Sequence, residues 1–174
     1  MYRGLTKEQE ALLFAEQTGH AAKPTPANRL RARLYAGEAE AVAFKEATQS
    51  AGFFLDLDGS RSQHHILCIN TALRMYRKVG PYAYREALGV LMLAWDGAPD
   101  SLLHGVIIGV MEFVRLYRGQ YDPVVLAELL KQTEPKEISH NIQADFTHPG
   151  YKKNVFQIYQ IYNAGCGEKL PLLF

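Results

Sequence analysis

The sequence predicts an all-α fold, a compact bundle of about seven to nine helices in a single domain, with at most one short hairpin near residues 53–60. Three observations predict it. Helix-starting residues and helix-stopping glycines recur at helical lengths along the chain, apolar residues between them follow a helical period, and only Phe53 to Leu57 reads as extended.

The elements follow in order. Thr6 with Gln9 forms a capping box, in which the hydroxyl accepts from one orphan amide while the Gln side chain reaches back to another, so a first helix is expected from there to Gly19. Thr25 followed by Pro26 repeats the signal, because proline at the first helical position loses no hydrogen bond, and Gly37 closes that helix. A third helix is expected from Glu38 to Ala51 before Gly52. After the extended stretch and its Asp58-Gly59 turn, helices are expected over Ser62 to Val79, Tyr82 to Trp95, Asp100 to Tyr117 and Asp122 to Gln132. Gly80-Pro81, Gly97 and Gly119 punctuate them, and weaker helices follow over Pro135 to Asp145 and Pro149 to Asn163.

Ile66, Ile69, Leu73 and Tyr76 mark one apolar face, and Leu88, Leu91, Met92 and Trp95 another. The core is expected to take in Leu12, Phe14, Leu34, Ile107, Met111, Phe113, Leu126, Leu129 and Ile158 as well. Residues 1–51 would hold the N-terminal helices and 62–174 the main bundle, with Gly52 to Arg61 between them.

Composition narrows the function. With 174 residues, 48% hydrophobic and 21% charged, the chain is long enough and apolar enough to fold around one core. Nineteen Lys and Arg against 18 Asp and Glu leave a net charge of +1, which supplies no global field for DNA or membrane and none of the carboxylate surplus a DNA mimic needs. Two cysteines, Cys68 and Cys166, make no disulfide scaffold, and no apolar run reaches the length of a membrane span. A cytoplasmic protein is expected.

Candidate chemistry is sparse. His64 and Cys68 stand four residues apart, the spacing of two metal ligands on one helix face, but a third ligand would have to come from His104, His140 or His148. Asp56-Leu57-Asp58-Gly59 resembles the opening of a calcium loop, yet position twelve is Leu67 where a bidentate Glu is required. The two aspartates are read as turn formers, with a hydrated magnesium ion as the enzymatic alternative. Gly105 and Gly109 have the spacing that lets helices approach closely. No hydrolase, zinc-protease or phosphate-loop motif is present, so no catalytic residue, metal or cofactor is assigned.

Two basic stripes carry the binding expectation. Arg29 and Arg33 lie one turn apart, while Arg74, Arg77 and Lys78 precede Tyr82, Tyr84 and Arg85. Cations near a helix end also complement the macrodipole, but interleaved Arg and Tyr suit a surface that contacts phosphates and stacks on rings. For a protein partner, the anchors would be Tyr76, Tyr82, Tyr84 and Tyr117.

The segments from Tyr2 to Phe14, Lys23 to Pro26 and Arg31 to Glu38 resemble the region that follows the ParB-like N-terminal domain in a group of phage and mobile-element proteins. The resemblance continues through Leu73-Arg74-Met75-Tyr76 and Ala94-Trp95-Asp96-Gly97 to Ile161-Tyr162-Asn163. It implies the helical accessory part of such proteins, a DNA-binding or partner-binding region without the catalytic module. The expected function is a non-enzymatic binding protein that occupies a surface on nucleic acid or on a host nucleoprotein complex such as a defence effector. The alternatives are a DNA-binding regulator or partition accessory, a metal-dependent nuclease built on Asp56 and Asp58, and a fragment that acts only with its upstream domain. A homo-oligomer is compatible with all of them.

Overall fold

The computed structural model describes residues 24–140 and 152–174. The expected helix from Thr6 to Gly19, the core positions Leu12 and Phe14, and His148 lie outside the described residues. Among the described residues there are seven α-helices, one 3-10 turn and two short strands, the helix-rich bundle the sequence predicts.

Helix α1 (Pro26–Tyr35) starts where Thr25 Oγ1 accepts from the Asn28 amide at 3.2 Å. Helix α2 (Ala39–Ser50) buries Ala41, Phe44, Ala47 and Thr48. Strands β1 (Phe54–Leu55) and β2 (His65–Ile66) follow, then α3 (Ile69–Trp95). A 3-10 turn (Pro99–Leu102) leads into α4 (His104–Leu116), α5 (Pro123–Lys131), α6 (Pro135–His140) and α7 (Lys152–Gly165). The α5 start is capped by Asp122, whose Oδ1 accepts from the Val124 and Val125 amides.

The strands form a parallel pair, Phe54 against His65 and Leu55 against Ile66, where the sequence suggested a hairpin. The Asp56 carboxylate causes the difference. It accepts from the Asp58 and Gly59 amides, the Ser60 hydroxyl and the Arg61 amide, and so coils 56–61 into a tight loop that returns the chain in its original direction. His65 and Ile66 are then spent on pairing, and α3 begins at Ile69, later than the expected Ser62. The expected helix from Asp100 to Tyr117 likewise divides, because Leu103 is extended between the 3-10 turn and α4.

Gly80 breaks α3, as the sequence indicates: with φ 82° and ψ 164° it adopts a conformation open to glycine, and Pro81 starts the second arm. Helix α4 is the centre of the bundle, buried from Gly105 to Val114, and packs on α3, α6 and α7. Gly105 and Gly109 permit the approach of α6 and α7, since a methyl group at 105 would meet Ser139 and Asn154, and one at 109 would meet Ile158 and Asn154. Ile66, Ile69, Leu73, Leu91, Ile107, Met111, Phe113, Leu126 and Ile158 are buried, while Leu34, Trp95 and Leu129 are partly buried at the edge of the core.

Candidate nucleic-acid interface

The crossing of α1 over the first arm of α3 brings the two expected basic stripes together. Arg29 and Arg33 from α1 and Asn70 and Arg77 from α3 line a groove of about 200 Å³ floored by Leu30, Ile69 and Leu73. The spacing explains the convergence, because 26, 29, 30 and 33 share one face of α1, and 70, 73 and 77 share one face of α3.

Two of these cations are held by carboxylates. Arg33 reaches Glu38, with Nε 2.5 Å from Oε2, and its Nη2 lies 2.6 Å from Glu40 Oε2. Arg77 reaches Glu40 from the other side, with Nε 2.7 Å from Oε1. The shared carboxylate ties α1, α2 and α3 together. Arg77 first and Arg33 second hold the Glu40 carboxyl down to about 2, against an ordinary 4.5. Arg33 likewise holds Glu38 low, and both guanidiniums are pushed up in return. Arg29 and Arg74 are exposed and meet no carboxylate among the described residues. Around the groove, four guanidiniums therefore face two carboxylates.

Because its folded value is depressed, Glu40 contributes stability that is complete above about pH 4.5 and is lost as pH falls toward 2. A carbon-detected titration should place the midpoint of the Glu40 carboxyl resonance near 2. A midpoint at the ordinary carboxyl value would remove the shared ion pair from solution.

The remaining expected site residues separate. Lys78 points away from the groove and pairs, together with Arg115, with the buried Glu112 of α4. Tyr82 is 69% exposed, and the Arg85 guanidinium sits 5.1 Å from its ring centre on the second arm of α3. Tyr84 is a correction: its ring is fully buried against Phe44 and Tyr76, with its hydroxyl 3.0 Å from Thr48 Oγ1, so it offers no outward surface. Tyr117 is buried too, donating to the Pro171 carbonyl. The interleaving of Arg and Tyr in the sequence does not distinguish Tyr84, which the second arm of α3 turns into the core, from Tyr82, which stays outside.

The candidate metal groups also separate. His64 lies in the loop before β2 with φ 63°, near Asp96, and Cys68 precedes α3, so the pair shares no helix face. Among the described residues no three His, Cys, Asp or Glu side chains gather to hold a metal ion. Burial pushes the Asp56 carboxyl up, but the hydrogen bonds from Ser60, Gly59 and Arg61 outweigh it and hold the group below its ordinary range. Asp58 turns outward to Arg31 at 2.8 Å. The two carboxylates form no open pair.

The sequence patterning did not reveal a cleft of about 290 Å³ beside β2, because its lining comes from two stretches distant in sequence, 61–68 and 99–104, that only packing brings together. The molecule is thus a helical bundle with a cationic groove between two helices and a second cleft behind the strands. The chain belongs to the Family of unknown function (DUF6551), which it matches over residues 1–174. No curated protein and no solved structure matches it. Among the described residues, no helix is long and apolar enough to cross a membrane.

Proposed function

We propose that this is a non-enzymatic cytoplasmic protein of phage or mobile-element type that acts by occupying a nucleic-acid surface, free or within a host nucleoprotein complex. The observation that supports it is the convergence of Arg29, Arg33 and Arg77 from two helices on one groove, with Arg74 exposed beside it. A guanidinium presents a planar fork suited to phosphate oxygens, and Asn70 adds a neutral donor. Arg33 and Arg77 arrive already oriented by Glu40, and Arg29 and Arg74 are available to neutralise phosphate directly. Exposed Tyr82 with Arg85 offers a separate stacking position.

The test is the salt dependence of binding to duplex and single-stranded DNA. Log affinity should fall linearly with log salt, with a slope of about −0.9 for each phosphate neutralised on duplex DNA. An Arg29→Ala, Arg74→Ala double variant should fold normally and make that slope shallower by about 2. Affinity that is flat with salt, or unchanged in the double variant, would remove the nucleic-acid reading.

A further inference from the structure

We propose that the cleft beside β2 binds a small organic anion, a phosphate or carboxylate head carried on a compact apolar body. At about 290 Å³ the cleft lies at the lower end of the size range of ligand pockets. Its lining combines apolar surface from Leu67, Leu102 and Leu103 with the polar side chains of Arg61, His65 and His104. Leu67, one of the lining residues, is 40% exposed, so apolar surface is open for a ligand to cover.

The charge balance selects an anion. The Arg61 guanidinium meets no carboxylate among the described residues, and its backbone is fixed by the amide bond to Asp56 Oδ2 at 3.0 Å. Asp100, the acid on the rim, is neutralised by Lys136 Nζ at 2.9 Å. His104 is aimed rather than loose: Thr71 Oγ1 lies 2.7 Å from its Nδ1, which leaves Nε2 as the ring nitrogen available to a ligand. The His65 ring is steadied by Phe54, their ring centres 5.5 Å apart.

Cys68 argues for binding over covalent chemistry. Burial pushes its thiol up to about 11, and the thiol lies 3.5 Å from the Leu102 carbonyl, so the protonated sulfur is a wall of the cleft and no nucleophile. The cleft shares no lining residue with the α1–α3 groove. The inference therefore stands apart from the nucleic-acid reading.

Calorimetric titration of the full chain with phenyl phosphate, benzoate and inorganic phosphate tests it. One of the two organic anions should bind saturably at one site, at least about tenfold tighter than inorganic phosphate, and the tighter of the two identifies the head group. Arg61→Ala and His104→Ala, both at exposed positions, should each weaken that binding by about tenfold or more with DNA affinity in place, and Arg61→Ala should also leave the melting temperature unchanged. Arg29→Ala should leave it unchanged. No saturable binding of either organic anion, equal binding of inorganic phosphate, or full binding by Arg61→Ala overturns the proposal.

Discussion

Removing both cations that face Glu112, in a Lys78→Met, Arg115→Leu double variant, is expected to destabilise the fold by about 3–5 kcal/mol. Glu112 is 1% exposed in the middle of α4, and its carboxylate meets Lys78 from α3 and, at 2.9 Å, Arg115 Nε one turn further along. Both cations extend toward solvent, so they tolerate the loss of Glu112 far better than Glu112 tolerates the loss of them. A buried carboxylate deprived of its partners keeps its desolvation cost and loses the attraction that offset it. Adding Glu112→Leu to the double variant should recover most of the loss, because an apolar side chain of similar size has no charge to desolvate. Urea denaturation at constant slope reads both steps. A small loss in the double variant, or no recovery in the triple, would show that the buried acid is solvated in a way the packing does not provide.

Phe113→Ala is the second large effect, expected to cost about 3–5 kcal/mol. Phe113 is fully buried on α4, with ring centres of Tyr117 at 4.8 Å, Tyr121 at 5.3 Å and Tyr162 at 5.6 Å. The rings around it come from the connection between α4 and α5 and from α7, so the cavity left behind cannot close by moving one element. At roughly 2–4 °C per kcal/mol for a chain of this size, the melting temperature should fall by roughly 6–20 °C. A drop of only a degree or two would mean that the tyrosines collapse into the space. Phe113→Leu, which keeps most of the volume, should cost clearly less.

The helices were legible because their signals are local. Thr25-Pro26, Asp122-Pro123, Gly37 and Gly80-Pro81 each act on the turn they stand in, and each has the structural role its chemistry dictates. The close approach at Gly105 and Gly109 was legible for the same reason. The parallel pairing of Phe54 with His65 was not, since it depends on one carboxylate gathering donors from four successive residues, an arrangement that Asp-Gly turn chemistry alone does not specify. The groove was half legible. Both basic stripes stand out in the sequence, but nothing local shows that Arg29 and Arg77 share a groove, that Glu40 holds Arg33 and Arg77, or that Glu112 draws Lys78 away. The cleft of Arg61, His65 and His104 was not visible at all, because tertiary packing alone assembles it.

The break at Gly80 turns one long rod into an elbow, and the elbow is splinted from outside. Phe44 of α2 touches Tyr76 on one side of the bend and Tyr84 on the other, and the two tyrosine rings meet edge to face across it. Thr48, one turn along α2, fastens the Tyr84 hydroxyl. The angle of the elbow is therefore dictated by α2 more than by the glycine that permits it. Since α2 also carries Glu40, which grips Arg77 on the near arm, one helix sets both the bend and the seating of a groove cation. A slackened splint would be felt as misalignment of the groove before any groove residue had changed.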